Sequence, residues 1–230
     1  MNTDVPSTHV LRRIRSYVRR EGRLTVAQKR ALETLWPQFG LEPTSRFDWL
    51  AIFGREAPRI LEIGFGNGDS LLAQALAHPE QDYLGVEVHR PGVGHLLSEL
   101  QKHTVGNLRI FAVDAVDVLQ ALPRASLDGL QLYFPDPWHK TRHHKRRLVQ
   151  PAFASLVARV LKPGGRWLLA TDWAAYAEHM REVLNAQAEF VNLAPDRNFV
   201  PRPVERGLTR FERRGLTLGH AVFDLAYERK

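Results

Sequence analysis

From Pro58 to Asn185 the chain alternates between short apolar runs and helical stretches, and this limits the fold more than any other feature. Strands are expected at Arg59–Ile63, Tyr83–Val88, Leu108–Val113, Leu130–Phe134 and Arg166–Ala170. The spacing predicts helices at Ser70–Ala77, Val93–His103, Val116–Leu122, Gln150–Leu161 and Ala174–Asn185. In the fourth of these, Phe153, Leu156, Val157, Val160 and Leu161 share one face of 3.6-residue period, Pro151 suits the first turn, and Lys162-Pro-Gly-Gly165 is a stop. The strand runs are continuously apolar, so they predict a mostly parallel sheet covered by helices on both faces. Phe190–Leu193 and His220–Tyr227 read as two further strands, the last of them antiparallel, around a polar loop rich in proline and arginine.

At 230 residues there is material for one sizeable α/β domain. Residues 44–230 are expected to form it. Residues 1–43 read as a basic, partly flexible N-terminal arm carrying Arg12, Arg13, Arg15, Arg19, Arg20, Arg23, Lys29 and Arg30. A helix is expected over Leu24–Leu35, with Trp36-Pro37 and Trp49–Phe53 packing the arm on the body. The arm reads equally well as a solvated tail and as a segment that orders on nucleic acid. A formal charge of +7 and a sequence pI near 10.0 favour an anionic partner. With no cysteine, thiolate zinc sites and thiol nucleophiles are excluded. No apolar run approaches the ~20 residues of a membrane span, and no signal-peptide core is evident. The expectation is a soluble cytoplasmic protein with no membrane partner.

Two stretches carry the chemistry. In Leu61-Glu-Ile-Gly-Phe-Gly-Asn-Gly68, the glycines Gly64, Gly66 and Gly68 follow the first strand and open a helix, where they permit a tight turn and close approach to a ligand. The spacing G-x-G-x-G, with an acid two residues earlier, departs from the dinucleotide fingerprint G-x-G-x-x-G. It resembles motif I of class I S-adenosylmethionine-dependent methyltransferases, which have a Rossmann-like fold. Glu62, Glu87, Asp114 and Asp136 are expected at the carboxyl ends of strands one to four, the edge at which open parallel sheets bind ligands. Glu87 suits ribose hydroxyls and Asp114 an adenine amino group. The second stretch is Phe134-Pro-Asp-Pro-Trp-His-Lys-Thr-Arg-His-His-Lys-Arg-Arg147. Pro135 and Pro137 hold Asp136 in a stiff turn, and a dense cationic run follows. His139, His143 and His144 invite a metal, but no cysteine or fourth ligand accompanies them, so contact with phosphate or base is expected and no metal.

These two stretches, with Thr171-Asp-Trp173 and Thr209-Arg-Phe-Glu212, resemble the bacterial tRNA (guanine-N7-)-methyltransferases, from about Pro58 to the last residues and in the same order. The resemblance implies cofactor contacts at Glu62, Gly64, Gly66, Gly68, Glu87, Asp114 and Asp136, with Asp136 also catalytic. It implies substrate contacts at Lys140, Asp172, Thr209, Arg210, Phe211 and Glu212. Contacts to RNA are implied at Arg142, His143, His144, Lys145, Arg146 and Arg147. The implied reaction moves a methyl group from S-adenosylmethionine to N7 of the variable-loop guanine of tRNA, position 46. A flipped guanine could stack on Tyr133, Trp138, Trp173 or Phe211, although core packing suits those aromatics better. Two other readings stay open: an amino-methyltransferase, whose Asp-Pro-Pro-aromatic order differs from the Pro-Asp-Pro-Trp here, and a non-catalytic RNA-binding module. Monomer and homodimer are both compatible with the sequence.

Overall fold

The apolar runs pair into one seven-stranded sheet in the order β3-β2-β1-β4-β5-β7-β6. The strands are β1 (Arg59–Ile63), β2 (Asp82–Val86), β3 (Leu108–Phe111), β4 (Leu127–Tyr133), β5 (Leu161–Thr171), β6 (Phe190–Asn192) and β7 (Phe223–Arg229). Pairing from β3 to β5 is parallel, while β7 runs antiparallel to both β5 and β6. The computed structural model describes residues 15–17, 22–44, 46–203, 206, 207, 212 and 221–230.

Each face of the sheet has its own core, as the unbroken apolar strands require. On one face Leu61, Ile63, Leu130, Leu132 and Trp167 pack on α5 (Ala115–Ala121), α6 (Pro151–Val160) and α7 (Ala174–Asn185). On the other, Tyr83, Leu108 and Ile110 meet α3 (Asp69–Ala77), α4 (Arg90–Leu100) and α1 (Val26–Phe39). Helix α1 starts at a capping box in which Thr25 and Gln28 satisfy each other's backbone N–H. It buries Ala31 and Phe39 and runs four residues beyond the expected end, through Pro37. A short α2 (Trp49–Phe53) closes over the sheet with Phe47, whose ring stacks on Trp49.

The architecture agrees with the sequence pattern, and the differences lie at element ends. Strand β2 stops at Val86, not Val88, because Val88 and His89 turn their N–H groups onto the Glu87 carboxylate. Strand β3 stops at Phe111, and Asp114 lies past it as the cap of α5, accepting from Val116 N at 3.0 Å. Helix α4 spans Arg90–Leu100 where Val93–His103 was expected, with Pro91 in its first turn. The Lys162-Pro-Gly-Gly165 stop does more than end a helix. Strand pairing begins at Leu161, opposite Leu127, and resumes at Arg166, opposite Gly129, so the glycines absorb a bulge inside β5. Strand β7 starts at Phe223 and runs to Arg229, and His220 lies outside the described residues.

Candidate active site

A cavity of about 760 Å³ opens where β1, β2 and β4 end. Its wall includes Gly64, Gly66, Glu87, Asp114, Asp136, Lys140 and His143, so seven of the residues singled out in the sequence converge on one space. Gly64 (φ +76°) and Gly66 (φ +61°) adopt the left-handed conformation that side chains disfavour, and nothing lies within 4 Å of where a Cβ would stand. Their backbone is thereby bared to the cavity. Gly92 at the start of α4 fits against this loop for the opposite reason: a Cβ there would come within 2.1 Å of Gly66 O.

Glu87 is held by three backbone donors. Its Oε2 accepts from Gly66 N at 2.8 Å, and Oε1 accepts from Val88 N at 2.7 Å and His89 N at 2.8 Å. The carboxylate is thus fixed in place, with acceptor capacity left mainly on Oε2. Glu62 is placed differently. It lies one residue inside the end of β1, only 4% exposed, between Gly85 and Gln131 on the neighbouring strands, behind the cavity wall. Its Oε2 is buried without a hydrogen bond, and burial, reinforced by the charge of Glu87, pushes its carboxyl up to about 8. Gly68 (φ +82°) also stands off the cavity, turning the chain into α3 against Leu96.

Beyond β4 the chain makes a tight, strained turn. Phe134 (φ +50°) and Trp138 (φ +49°) both occupy the left-handed region, which costs about 1 kcal/mol or more for such residues. Between them Pro135, Asp136 and Pro137 line the cavity, and the Asp136 side chain is exposed to it. The strain is held from outside: Trp138 Nε1 donates to Ser16 O at 2.9 Å, the Arg146 guanidinium lies 4.6 Å from the Trp138 ring, and Arg147 Nε donates to Pro137 O at 3.0 Å. Ser16 and Tyr17 complete the cavity lip, a contribution with no signal in the arm's sequence beyond its cationic character.

The basic run forms a 3₁₀ turn, Thr141–Arg146. Lys140, Arg142 and Lys145 are exposed, while His143, His144 and Arg146 are half-buried. Burial and the surrounding cations lower the pKa of His143, favouring its neutral form. Arg147 does not belong with them. It is 4% exposed, donates to Pro137 O and Ala175 O, and stacks over the Tyr176 ring at 5.0 Å. It fastens the turn to α7 and presents nothing to a phosphate. Asp172, at the end of β5, is exposed but does not line the cavity. Glu212 is buried, with both carboxylate oxygens on Arg206, a residue that no sequence pattern singles out. Thr209, Arg210 and Phe211 lie outside the described residues. Of the aromatics, Tyr133 is buried, and Trp173 is 40% exposed with its ring edge-on to His139 at 4.2 Å. Among the described residues no group of three or more His, Asp or Glu is arranged to hold a metal, and no helix is long and apolar enough to cross a membrane.

A sheet of this order, with a glycine loop and acids around a cavity at its carboxyl edge, defines the class I methyltransferase fold. The 16S rRNA methyltransferase KamB shares it with a TM-score of 0.59 over 80% of this chain and 95% of its own, at 16% identity. An antibiotic-related methyltransferase matches with a TM-score of 0.53 over 80% and 98%, at 14% identity. At such identities the likeness is one of fold. The family described as "Putative methyltransferase" matches residues 56–225. The tRNA (guanine-N(7)-)-methyltransferase of Alkalilimnicola ehrlichii is 60% identical over 223 residues, 95% of this chain and 94% of its own. That of Methylococcus capsulatus is 55% identical over 230 residues, 100% and 97% respectively. The chain belongs to the tRNA (guanine-N(7)-)-methyltransferase family.

Proposed function

We propose that the protein transfers the methyl group of S-adenosylmethionine to N7 of the variable-loop guanine of tRNA, position 46. The observation that carries this reading is the Pro135-Asp136-Pro137 turn, which joins a carboxylate at the cavity directly to the cationic 3₁₀ turn. A polyanion gripped on the turn would have a base within reach of Asp136. The residues fit the cofactor: a bared glycine loop, a fixed carboxylate at Glu87, Asp114 on the rim, and a volume within the usual ~300–1,000 Å³ of ligand pockets. S-adenosylmethionine, when bound, supplies an electrophilic methyl sulfonium. Glu87 is suited to the ribose and Asp114 to the adenine edge, with Glu62 supporting the loop from behind.

Guanine N7 is a bare lone pair, so no proton leaves before attack. What remains for the protein is alignment and charge. Asp136 faces a base that becomes cationic, with Lys140 on the same cavity wall as a substrate contact, and Asp172, exposed outside that wall, would meet the tRNA from the end of β5. Contact with RNA falls to Arg142, His143, His144, Lys145 and Arg146, and a tRNA substrate implies work in the cytoplasm. The decisive test incubates the protein with unmodified tRNA and labelled S-adenosylmethionine and identifies the methylated nucleoside. N7-methylguanine, cationic and alkali-labile, is expected. A neutral, alkali-stable methylated amine would replace this reading with the amino-methyltransferase one.

Salt dependence separates the cations that grip from the one that braces. Replacing Arg142 and Lys145 by alanine should flatten the slope of log affinity against log salt by about one to two units, since each neutralised phosphate contributes roughly 0.9 on a duplex and 0.7 on a single strand. Arg147→Ala should leave that slope unchanged and instead cost about 2 kcal/mol of stability, through the lost charge-assisted hydrogen bonds to Pro137 O and Ala175 O and the lost packing on Tyr176. An unaltered slope in the double variant would make the exposed run a solvated face.

A further inference from the structure

Behind the strained turn, on the side away from the cofactor loop, lies a buried ion cluster. Arg206 is 2% exposed. Its Nε and Nη2 donate to the two oxygens of Asp224 at 2.6 and 3.0 Å, and its Nη1 and Nη2 donate to the two oxygens of Glu212 at 2.5 and 2.8 Å. One guanidinium thus serves two buried carboxylates, and the half-exposed Arg202, 3.8 Å from Glu212, offsets part of the excess negative charge. Buried ion clusters seldom stabilise more than apolar residues of the same shape; a defined geometry is one thing they can add.

The geometry here points at the turn. The Arg206 guanidinium lies 5.8 Å from the Tyr133 ring and 5.7 Å from the Phe134 ring, and both residues line the cavity. Phe134 is the residue at φ +50° from which the Pro-Asp-Pro turn springs. Its N–H donates to Ala170 O at 2.8 Å, and Ala170 is the register partner of Asp224, so the ion cluster and the turn are built on the same rung of the sheet. The opposite flank, Trp138, is braced by Ser16, Arg146 and, through Pro137, by Arg147. Arg206 supplies the matching brace on the Phe134 side.

We infer that Arg206 is a positioning residue for the reaction: clamped by Asp224 and Glu212, it holds Phe134 in its strained conformation and thereby fixes where Asp136 meets the substrate. Glu212 then acts through Arg206 as part of this brace, not as a direct acceptor for guanine. The inference rests on the function proposed above for Asp136. Arg206→Lys keeps the charge and the bulk but cannot bond both carboxylates in a fork or lie flat against two rings.

The variant is expected to lose about tenfold in turnover, as displacement of a reacting group by a fraction of an ångström does. Its affinities for tRNA and cofactor should stay within about twofold of wild type. In the same variant, hydrogen exchange should rise across the segment from Leu132 to Lys140 and stay unchanged across the glycine loop. A purely structural role would lower the unfolding midpoint without singling out that segment. A second variant guards against misfolding: Arg206→Met with Glu212→Gln and Asp224→Asn leaves no buried charge unpaired. Its turnover should stay low while its unfolding midpoint returns toward wild type. Unchanged exchange at the turn, or turnover that recovers with stability in the neutral variant, overturns the inference. The exchange measurement needs neither substrate nor cofactor, so a wild type that fails to make N7-methylguanine is recognised separately.

Discussion

Asp136→Asn should reduce turnover about a hundredfold, on the order of 2.7 kcal/mol, the usual loss for one preorganised electrostatic contact. The structure makes this substitution a clean one. Asp136 sits between two prolines, and the backbone is pinned before it at Phe134, whose N–H donates to Ala170 O, and after it at Pro137 by Arg147. An asparagine would therefore keep the position and lose only the charge. The loss falls on the transition state, where the base is turning cationic, so affinities for cofactor and tRNA should shift far less than turnover. Raising the pH should not rescue the variant, because the nucleophile has no proton for a base to remove. Single-turnover kinetics would check this. A rate within threefold of wild type would remove Asp136 from the chemistry and turn attention to Asp172.

The second large effect concerns stability and pH. Glu62 is a carboxylic acid with a buried, unpartnered oxygen, and burial holds its folded pKa at about 8, above the ordinary 4.5 of a glutamate. Between those two values the folded state keeps a proton that the unfolded chain has released. Stability contributed by the neutral form is therefore fully present below about pH 4.5 and is lost as pH rises to about 8. Across that window the loss should be on the order of 4 kcal/mol. Glu62→Gln, neutral throughout, should remove this slope and leave the variant more stable than wild type at pH 8 and above. Denaturant unfolding at pH 5 and pH 8 without cofactor measures both. Parallel pH dependence in the two proteins would show that Glu62 is ionised in the folded state.

The parts of the molecule that repeat a period were readable in advance. Strand β1 and helix α7 fall where the apolar spacing puts them, and the acids Glu87, Asp114 and Asp136 were found because each follows an apolar run. Misplaced ends had local causes: Val88 looks like a strand residue but spends its N–H on Glu87, and Asp114 is drawn off β3 by the cap it makes on α5. Depth was harder to read. An acid in the run Ile60-Leu-Glu-Ile63 was recognisable as unusual, yet whether it lined the cavity or stood behind it depended on how the loop after β1 turned. Cations in a run look alike in sequence, and only packing on Tyr176 and Pro137 distinguishes Arg147 from Arg142. Contacts such as Ser16 with Trp138, or Arg206 with Phe134, join segments about 120 and 70 residues apart without any periodic signal.

The place of β7 has a consequence for how the molecule comes into being on the ribosome. The sheet order puts β7 between β5 and β6, although it is the last of the seven strands in the chain. The parallel half, β1 to β5, can pair in order of synthesis. Strand β6 cannot, because its partner in the sheet is made only after it. A nascent chain that stops short of Phe223 would present β5 as a bare edge, open to pairing with another chain. It would also lack Asp224, one of the two carboxylates that clamp Arg206. The turn that carries Asp136 would be synthesised early and acquire its rear brace late, so catalytic competence should follow emergence of β7 and not folding of the parallel strands β1 to β5.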